Sequence, residues 1–262
     1  MTRKVFNINS LRKAMYMLMV ATMTFAASTI MQSCDNDNDD FPLFPLNRPN
    51  ALVTVKPTAN GSAFFMQLDD STRITASNIK AAPYGNREVR AFINFRLLTQ
   101  PVDKHKYEVY VNWIDSILTK PMAEYPGTEA TSSQFRQDPV ELLRDWTVSE
   151  DGYMTIHFRT QWAANDTPHY VNLAATNPDK PYDLTFFHSA QGVKGGYWGD
   201  GIVAFRLDRL PDTKGKDVDI TLHWTSFSGE KSVTFKYATN KSIIPASGLS
   251  SAQSGQFEKA IR

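Results

Sequence analysis

Cysteine is almost missing from this chain: Cys34 is the single one in 262 residues. With no second thiol, no disulfide can staple the fold. Long apolar runs are missing as well. The longest, Ala14 to Ala27, is broken by Thr22 and Thr24 and falls short of the ~20 apolar residues that a membrane-crossing helix needs. Excess positive charge is lacking: 28 Lys and Arg face 27 Asp and Glu. Without residues 1–33 the balance turns mildly acidic, since the four basic residues lost there are matched by no acid. That composition argues against nucleic acid as a partner, because phosphate binding rests on concentrated basic surface. The chain also has no G-x-S-x-G nucleophile elbow and no repeat period.

What is there begins around Cys34. Arg3, Lys4, Arg12 and Lys13 precede the apolar run, and Met31-Gln32-Ser33-Cys34 closes it. Basic, then apolar, then a small residue before cysteine is the layout of a lipoprotein signal peptide, so residues 1–33 are expected to be cleaved and the Cys34 thiol to receive diacylglycerol. The expected partner is therefore a membrane, reached through the lipid anchor. The acidic string Asp35, Asp37, Asp39, Asp40 fails as a calcium loop. An EF-hand needs Gly at its sixth position and Glu at its twelfth, where Asp40 and Leu46 stand. Residues 34–48 read instead as an acidic flexible tether, similar to the export signal that sends Bacteroides-group lipoproteins to the outer face of the outer membrane. The expected location is the outer membrane, at the cell surface.

Strand-like alternation dominates the remainder, which places the chain in the all-β class. Ala51–Val55, Ala63–Leu68, the segment around Ile74, Ala91–Leu97 and Tyr107–Trp113 read as five short strands, the number that suits a small closed barrel over 49–120. Residues 121–137, rich in Pro, Gly, Ser and Thr, read as a linker. Asp138-Pro139 reads as the cap of a short helix. Strands around Met154–Phe158, Val203–Leu207, Val218–Trp224 and Val233–Tyr237 follow, and their spacing predicts an antiparallel β-sandwich over 138–238 with a polar tail at 239–262.

Particular segments resemble NigD-like lipoproteins of Bacteroides-type bacteria. Asn50 to Pro57, Gln67 to Asp70, Arg90 to Phe95 and Val111 to Lys120 are similar to that family's amino-terminal domain. Asp138 to Glu141, His169 to Leu173, Phe187-His188 and Phe227 to Lys231 are similar to its carboxy-terminal domain. The resemblance implies an OB-fold barrel followed by the sandwich. The family name comes from a bacteriocin locus, which associates it with immunity or envelope maintenance.

Chemistry is weakly marked. His157 and His223 occupy polar positions of alternating strands and read as surface residues. If Val171 pairs with Leu184 in a hairpin closed by Asn177-Pro178, His169 faces Phe186 and lies diagonal to His188. No third ligand stands at a recognisable spacing, so a metal is not expected, and the pair reads as two hydrogen-bonded core imidazoles or as a binding site. Both S-x-x-K matches, at Ser77 and Ser228, lack the helix that such chemistry uses. Asp115, Asp183, Asp200 and Asp208 are available should the chain hydrolyse glycans. Gly192 to Gly201 reads as a glycine-rich loop offering Tyr197 and Trp198 to a glycan or protein ligand. On an OB barrel, Phe64, Phe65, Met66 and Arg73 would form the contact face. The expectation is a binding or interaction protein with no cofactor and no catalytic residues; a glycan-active enzyme and an immunity factor are the alternatives.

Overall fold

The computed structural model describes residues 45–98, 105–127, 133–164 and 167–239. The signal segment, Cys34, most of the acidic tether and the tail beyond Thr239 lie outside the described residues. Among the described residues no helix is long and apolar enough to cross a membrane.

Five strands close the amino-terminal barrel in the order β1-β2-β3-β5-β4: β1 (Ala51–Thr58), β2 (Ala63–Gln67), β3 (Arg73–Ala76), β4 (Val89–Leu97) and β5 (Lys106–Ser116). Alternation fills its interior with Val53, Val55, Met66, Ile74, Ala91, Ile93, Val109 and Val111. Closure leaves no sheet edge exposed. Within the expected tether, Pro45 to Arg48 is held against the barrel: the Asn94 amide donates to the carbonyls of both residues, and the Trp113 indole donates to that of Leu46.

The sandwich has one sheet ordered β6-β12-β9-β7, with β8 on β9, and a second ordered β10-β11-β13-β14. The first holds β6 (Leu118–Pro121), β7 (Glu141–Leu142), β8 (Val148–Glu150), β9 (Tyr153–Trp162) and β12 (Tyr197–Arg206). The second holds β10 (Tyr170–Ala175), β11 (Asp183–Ser189), β13 (Val218–Ser226) and β14 (Gly229–Tyr237). Pairing is mostly antiparallel, with parallel contacts between β6 and β12 and between β11 and β13. Met154, Ile156, Phe158, Leu173, Phe186, Phe205 and Leu222 fill the space between the sheets.

Two boundaries differ from the sequence reading. Leu118 to Pro121 pairs with Val203 to Arg206 in the sandwich, so the barrel ends at Ile117 and the expected linker begins within a strand. Ala123 donates to the Leu173 carbonyl, and Arg136 to Asp138 runs beside His188. The expected helix after Asp138-Pro139 is absent, and Glu141-Leu142 forms β7 instead. Its backbone groups find strand partners: Val140 N–H bonds to Thr225, and Glu141 and Leu142 pair with Arg159 and Phe158. Tertiary pairing outweighs local propensity there.

The two modules are welded together. Leu52 and Phe92, on the outer face of the barrel, pack with Ile117, Trp146, Tyr153, Ile202 and Ala204 in one buried cluster. Arg90 is fully buried at the seam, where it donates to Thr54 Oγ1 at 3.0 Å and pairs with Glu150 at 2.5 Å. Lys56–Asp151 at 2.7 Å and Tyr153 Oη to Glu88 at 2.8 Å add cross-seam bonds.

The entry to β12 depends on Gly196. Its φ is +121°, and a Cβ there would fall on the carbonyl of Trp162, a fixed backbone atom. Gly196→Ala is expected to lower stability by about 2 kcal/mol through strain and displaced β9–β12 pairing. Urea unfolding checks this, and an unchanged midpoint would contradict it.

Candidate functional site

The structure scatters the residues singled out from sequence. His169 and His188 do meet: His169 Nδ1 lies 2.9 Å from His188 Nε2. The pairing that brings them together is not the expected one, because Val171 pairs with His188 and Ala175 with Leu184. Val171 is thus displaced by four residues along β11, an even number, and an even slip leaves every side chain on its original face. Both imidazoles are buried, at 0% and 1% exposure. Trp162 stacks on His169 with ring centroids 4.2 Å apart.

The hydrogen bonds fix the tautomers. His188 Nδ1 lies 3.0 Å from the Asp138 carbonyl, which can only accept, so Nδ1 carries the proton and Nε2 is bare. His169 Nδ1–H then donates to that Nε2, leaving the buried His169 Nε2 without a hydrogen-bond partner among the described residues. Desolvation holds both pKa values down at about 4, and the His188 ring lowers that of His169 further. These are neutral core imidazoles.

His157 is a correction: it is buried at 4%, not on the surface. Residues 144–147 cover the face it occupies, its Nδ1 meets the Asp145 carbonyl at 2.8 Å, and burial lowers its pKa. Its Nε2 is 3.5 Å from Asp200, a carboxylate already held by Arg159 through Nε at 2.5 Å and Nη2 at 2.9 Å. That bidentate pair keeps the Asp200 pKa down against the opposing effect of burial. His223 lines a polar cleft of about 330 Å³ with Asp183, Thr185 and Lys231. Asp115 is exposed at the end of β5, and Asp183 and Asp208 lie 3.9 Å from Lys180 and Arg206.

The barrel face is reassigned too. Phe64 and Met66 point into the barrel core, and Phe65 lies beneath the Arg73 guanidinium at 3.8 Å from its ring centroid. At the seam, a cleft of about 520 Å³ is lined by Lys56, Asp70, Glu88, Asp151, Arg206 and Asp208 among others. Several of these groups are occupied in joining the modules: Asp70 accepts from the Asp151 N–H, Glu88 from Tyr153, and Asp151 from Lys56.

The second half of the expected aromatic loop is strand. Tyr197 and Trp198 open β12, so they point to opposite faces. Tyr197 pairs with Trp162 and is 45% exposed on the face opposite to Trp198, which stands opposite Gln161 on the side of Asp200 and Arg159. Trp198 is 53% exposed, and its ring companion is Phe227, 44% exposed, edge-to-face at 5.0 Å. Phe227 was not anticipated as a site residue. The available signal was a large aromatic in the tight turn between β13 and β14, a place that polar residues usually fill. Glu141 holds that turn by accepting from Ser226 Oγ at 2.8 Å and from the Phe227 N–H at 3.2 Å, and it pairs with Lys231 at 3.1 Å. Trp198, Phe227, Arg159–Asp200 and Glu141–Lys231 are therefore linked through the β7–β9–β12 register and the β13–β14 turn. Among the described residues, no group of three or more His, Cys, Asp or Glu is placed to hold a metal.

An OB-type barrel joined to a β-sandwich defines the class of protein, and comparison with known proteins places it further. Residues 52–117 match the NigD-like N-terminal OB domain, and residues 123–237 match the NigD-like C-terminal beta sandwich domain. A solved structure of a protein named as toxin related, from Parabacteroides distasonis, is 34% identical over 72% of this chain and 92% of its own, with a TM-score of 0.60. A protein of unknown function from Bacteroides vulgatus is 18% identical over 78% of this chain and 94% of its own, TM-score 0.58. A NigD-like immunity protein from Bacteroides caccae is 18% identical over 72% and 96%, TM-score 0.51. No curated protein matches the chain. The chain belongs to the NigD-like family.

Proposed function

We propose that this chain is a lipid-anchored protein of the outer membrane that binds a ligand at the cell surface and leaves it chemically unchanged. The observation that carries the reading is the Trp198–Phe227 face, two large exposed rings held on a strand and a tight turn whose backbones are fixed by neighbouring hydrogen bonds. Rigid exposed aromatics bind with little loss of side-chain entropy. The anchor is Cys34, on the strength of the basic, apolar and small-residue order that precedes it.

Cys34→Ala is expected to move nearly all of the protein from the membrane to the soluble fraction, and intact cells treated with protease are expected to lose the wild-type chain. Retention in membranes would remove the anchor, and protection until lysis would place the chain on the inner leaflet. Envelope or medium material bound by the detergent-extracted protein is expected to be recovered with its mass unchanged; cleaved material would make the protein an enzyme.

A second reading, immunity or envelope maintenance, is favoured by the toxin-related name of the 34%-identical relative. A deletion strain that dies when exposed to a toxin its parent survives would establish it.

A further inference from the structure

We propose that the Trp198–Phe227 face is a binding site for a neutral oligosaccharide. This rests on the reading that a ligand is held at that face and adds its chemical class.

Single exposed aromatics are ordinary on protein surfaces. Here two meet edge-to-face, both close to half exposed, on a support that does not have to be ordered on binding. Beneath Trp198, the Trp162 indole donates to the Gly199 carbonyl at 2.9 Å, and Gly196 packs against the Trp162 carbonyl. Beneath Phe227, the Glu141 carboxylate accepts from the turn. The rings are therefore preorganised.

The rim supplies polar groups in pairs. Arg159 gives Nε and Nη2 to Asp200, which leaves Nη1 for a ligand; its side chain is 49% exposed. Gln161, the cross-strand neighbour of Trp198, adds an amide that both donates and accepts. A pyranose has an apolar C–H face suited to an aromatic ring and an equatorial rim of hydroxyls suited to planar side-chain donors and acceptors.

Charge selects among ligands. Arg159 cancels Asp200 and Lys231 cancels Glu141, so the rim is polar without a net field. Neither an acidic polysaccharide nor a cationic peptide gains from it. A protein partner would need a contiguous interface of roughly 800 Å² on each side with a dehydrated centre. Two rings bordered at once by ion pairs suit a narrow, hydroxylated chain instead.

The test uses the full-length protein extracted in detergent, with hexasaccharides of β-glucan, xylan and mannan as neutral probes. A polygalacturonate oligomer and a lysine-rich peptide serve as charged controls. At least one neutral probe should bind, and Trp198→Ala and Phe227→Ala should each weaken it about tenfold or more with thermal unfolding unchanged. Trp198→Phe should keep most of the affinity yet lose part of the tryptophan emission change that the wild type shows at saturation. Binding of no neutral probe, a preference for a charged control, or full affinity in Trp198→Ala would overturn the proposal. If captured envelope material requires Trp198 but is not a neutral glycan, the ligand class is wrong and the binding role stands. If that capture is indifferent to Trp198, both are wrong.

Discussion

Replacing Arg90 by Met is expected to destabilise the whole protein by about 3–5 kcal/mol, the cost of leaving a buried charge without its partner. Glu150 already has its pKa raised, chiefly by desolvation, with Arg90 acting in the opposite direction. Removing the guanidinium deletes that opposing effect along with the bond to Thr54. Because the pair joins β4 of the barrel to β8 of the sandwich, the loss should reach both modules. Thermal unfolding monitored separately by near-ultraviolet and far-ultraviolet dichroism should show one transition lowered by roughly 10 °C. The double variant Arg90→Met, Glu150→Leu should recover most of the deficit, since an apolar pair of similar volume removes the stranded charge. A single variant within 1 kcal/mol of wild type would show that Glu150 takes up a proton or reaches solvent without cost.

That seam explains why the module boundary was hard to see beforehand. Binary alternation identified β4 and β5 of the barrel and β9, β12, β13 and β14 of the sandwich, because in each the inward set, such as Met154, Ile156 and Phe158, stands at period two, whereas β1 to β3 were read from apolar runs and flanking turns. Alternation reports only one buried face. β4 is buried on both, Ala91 and Ile93 toward the barrel interior and Phe92 toward the sandwich, and β9 shares the property at Tyr153. Continuous burial of that kind was visible as Val89 to Phe95, a run in which only Arg90 and Asn94 are polar, and Arg90 proved to be the residue that the seam encloses. The same blindness applies to His157, whose polar neighbours on the strand suggested solvent while residues 144–147 cover it.

Contact between segments distant in sequence limited the reading of the candidate site. Trp198 was legible as an unusual aromatic among glycines, but strand alternation turns Tyr197 away from it, and Phe227 comes from a turn 29 residues downstream. Asp200 was legible as an acid and not as the partner of Arg159, because that pair depends on the β9–β12 register. The histidine pair was found through a register that was wrong by four residues, and only the even size of the error preserved the contact.

Acid should weaken the fold well before its carboxylates titrate, and the histidine pair is the reason. In the native state both imidazoles are neutral with pKa values of about 4, against 6.5 for the exposed side chain. The folded values are depressed, so the unfolded chain binds more protons wherever the pH lies between them, and stability falls as the pH drops through that window. At pH 5 the penalty is about 2 kcal/mol for each imidazole, and below pH 4 it levels off. His157, also lowered by burial, adds in the same direction. Asp138, Glu141 and Asp200 have lowered carboxyl values and lose their contributions only at lower pH, which separates the two effects. Protonation has nowhere to go within the pair: the new N–H would sit at the bare, buried Nε2 of His169, or it would displace the shared hydrogen bond. Urea unfolding from pH 7.5 to 4.5 should therefore show a falling midpoint in the wild type. The His169→Gln, His188→Gln double variant should start lower and decline less steeply, keeping the slope due to His157 and the opposing one due to Glu150, whose carboxyl is raised chiefly by desolvation. Equal slopes in the two proteins would mean that the pair titrates in the fold as it does in the unfolded chain, with no depressed pKa.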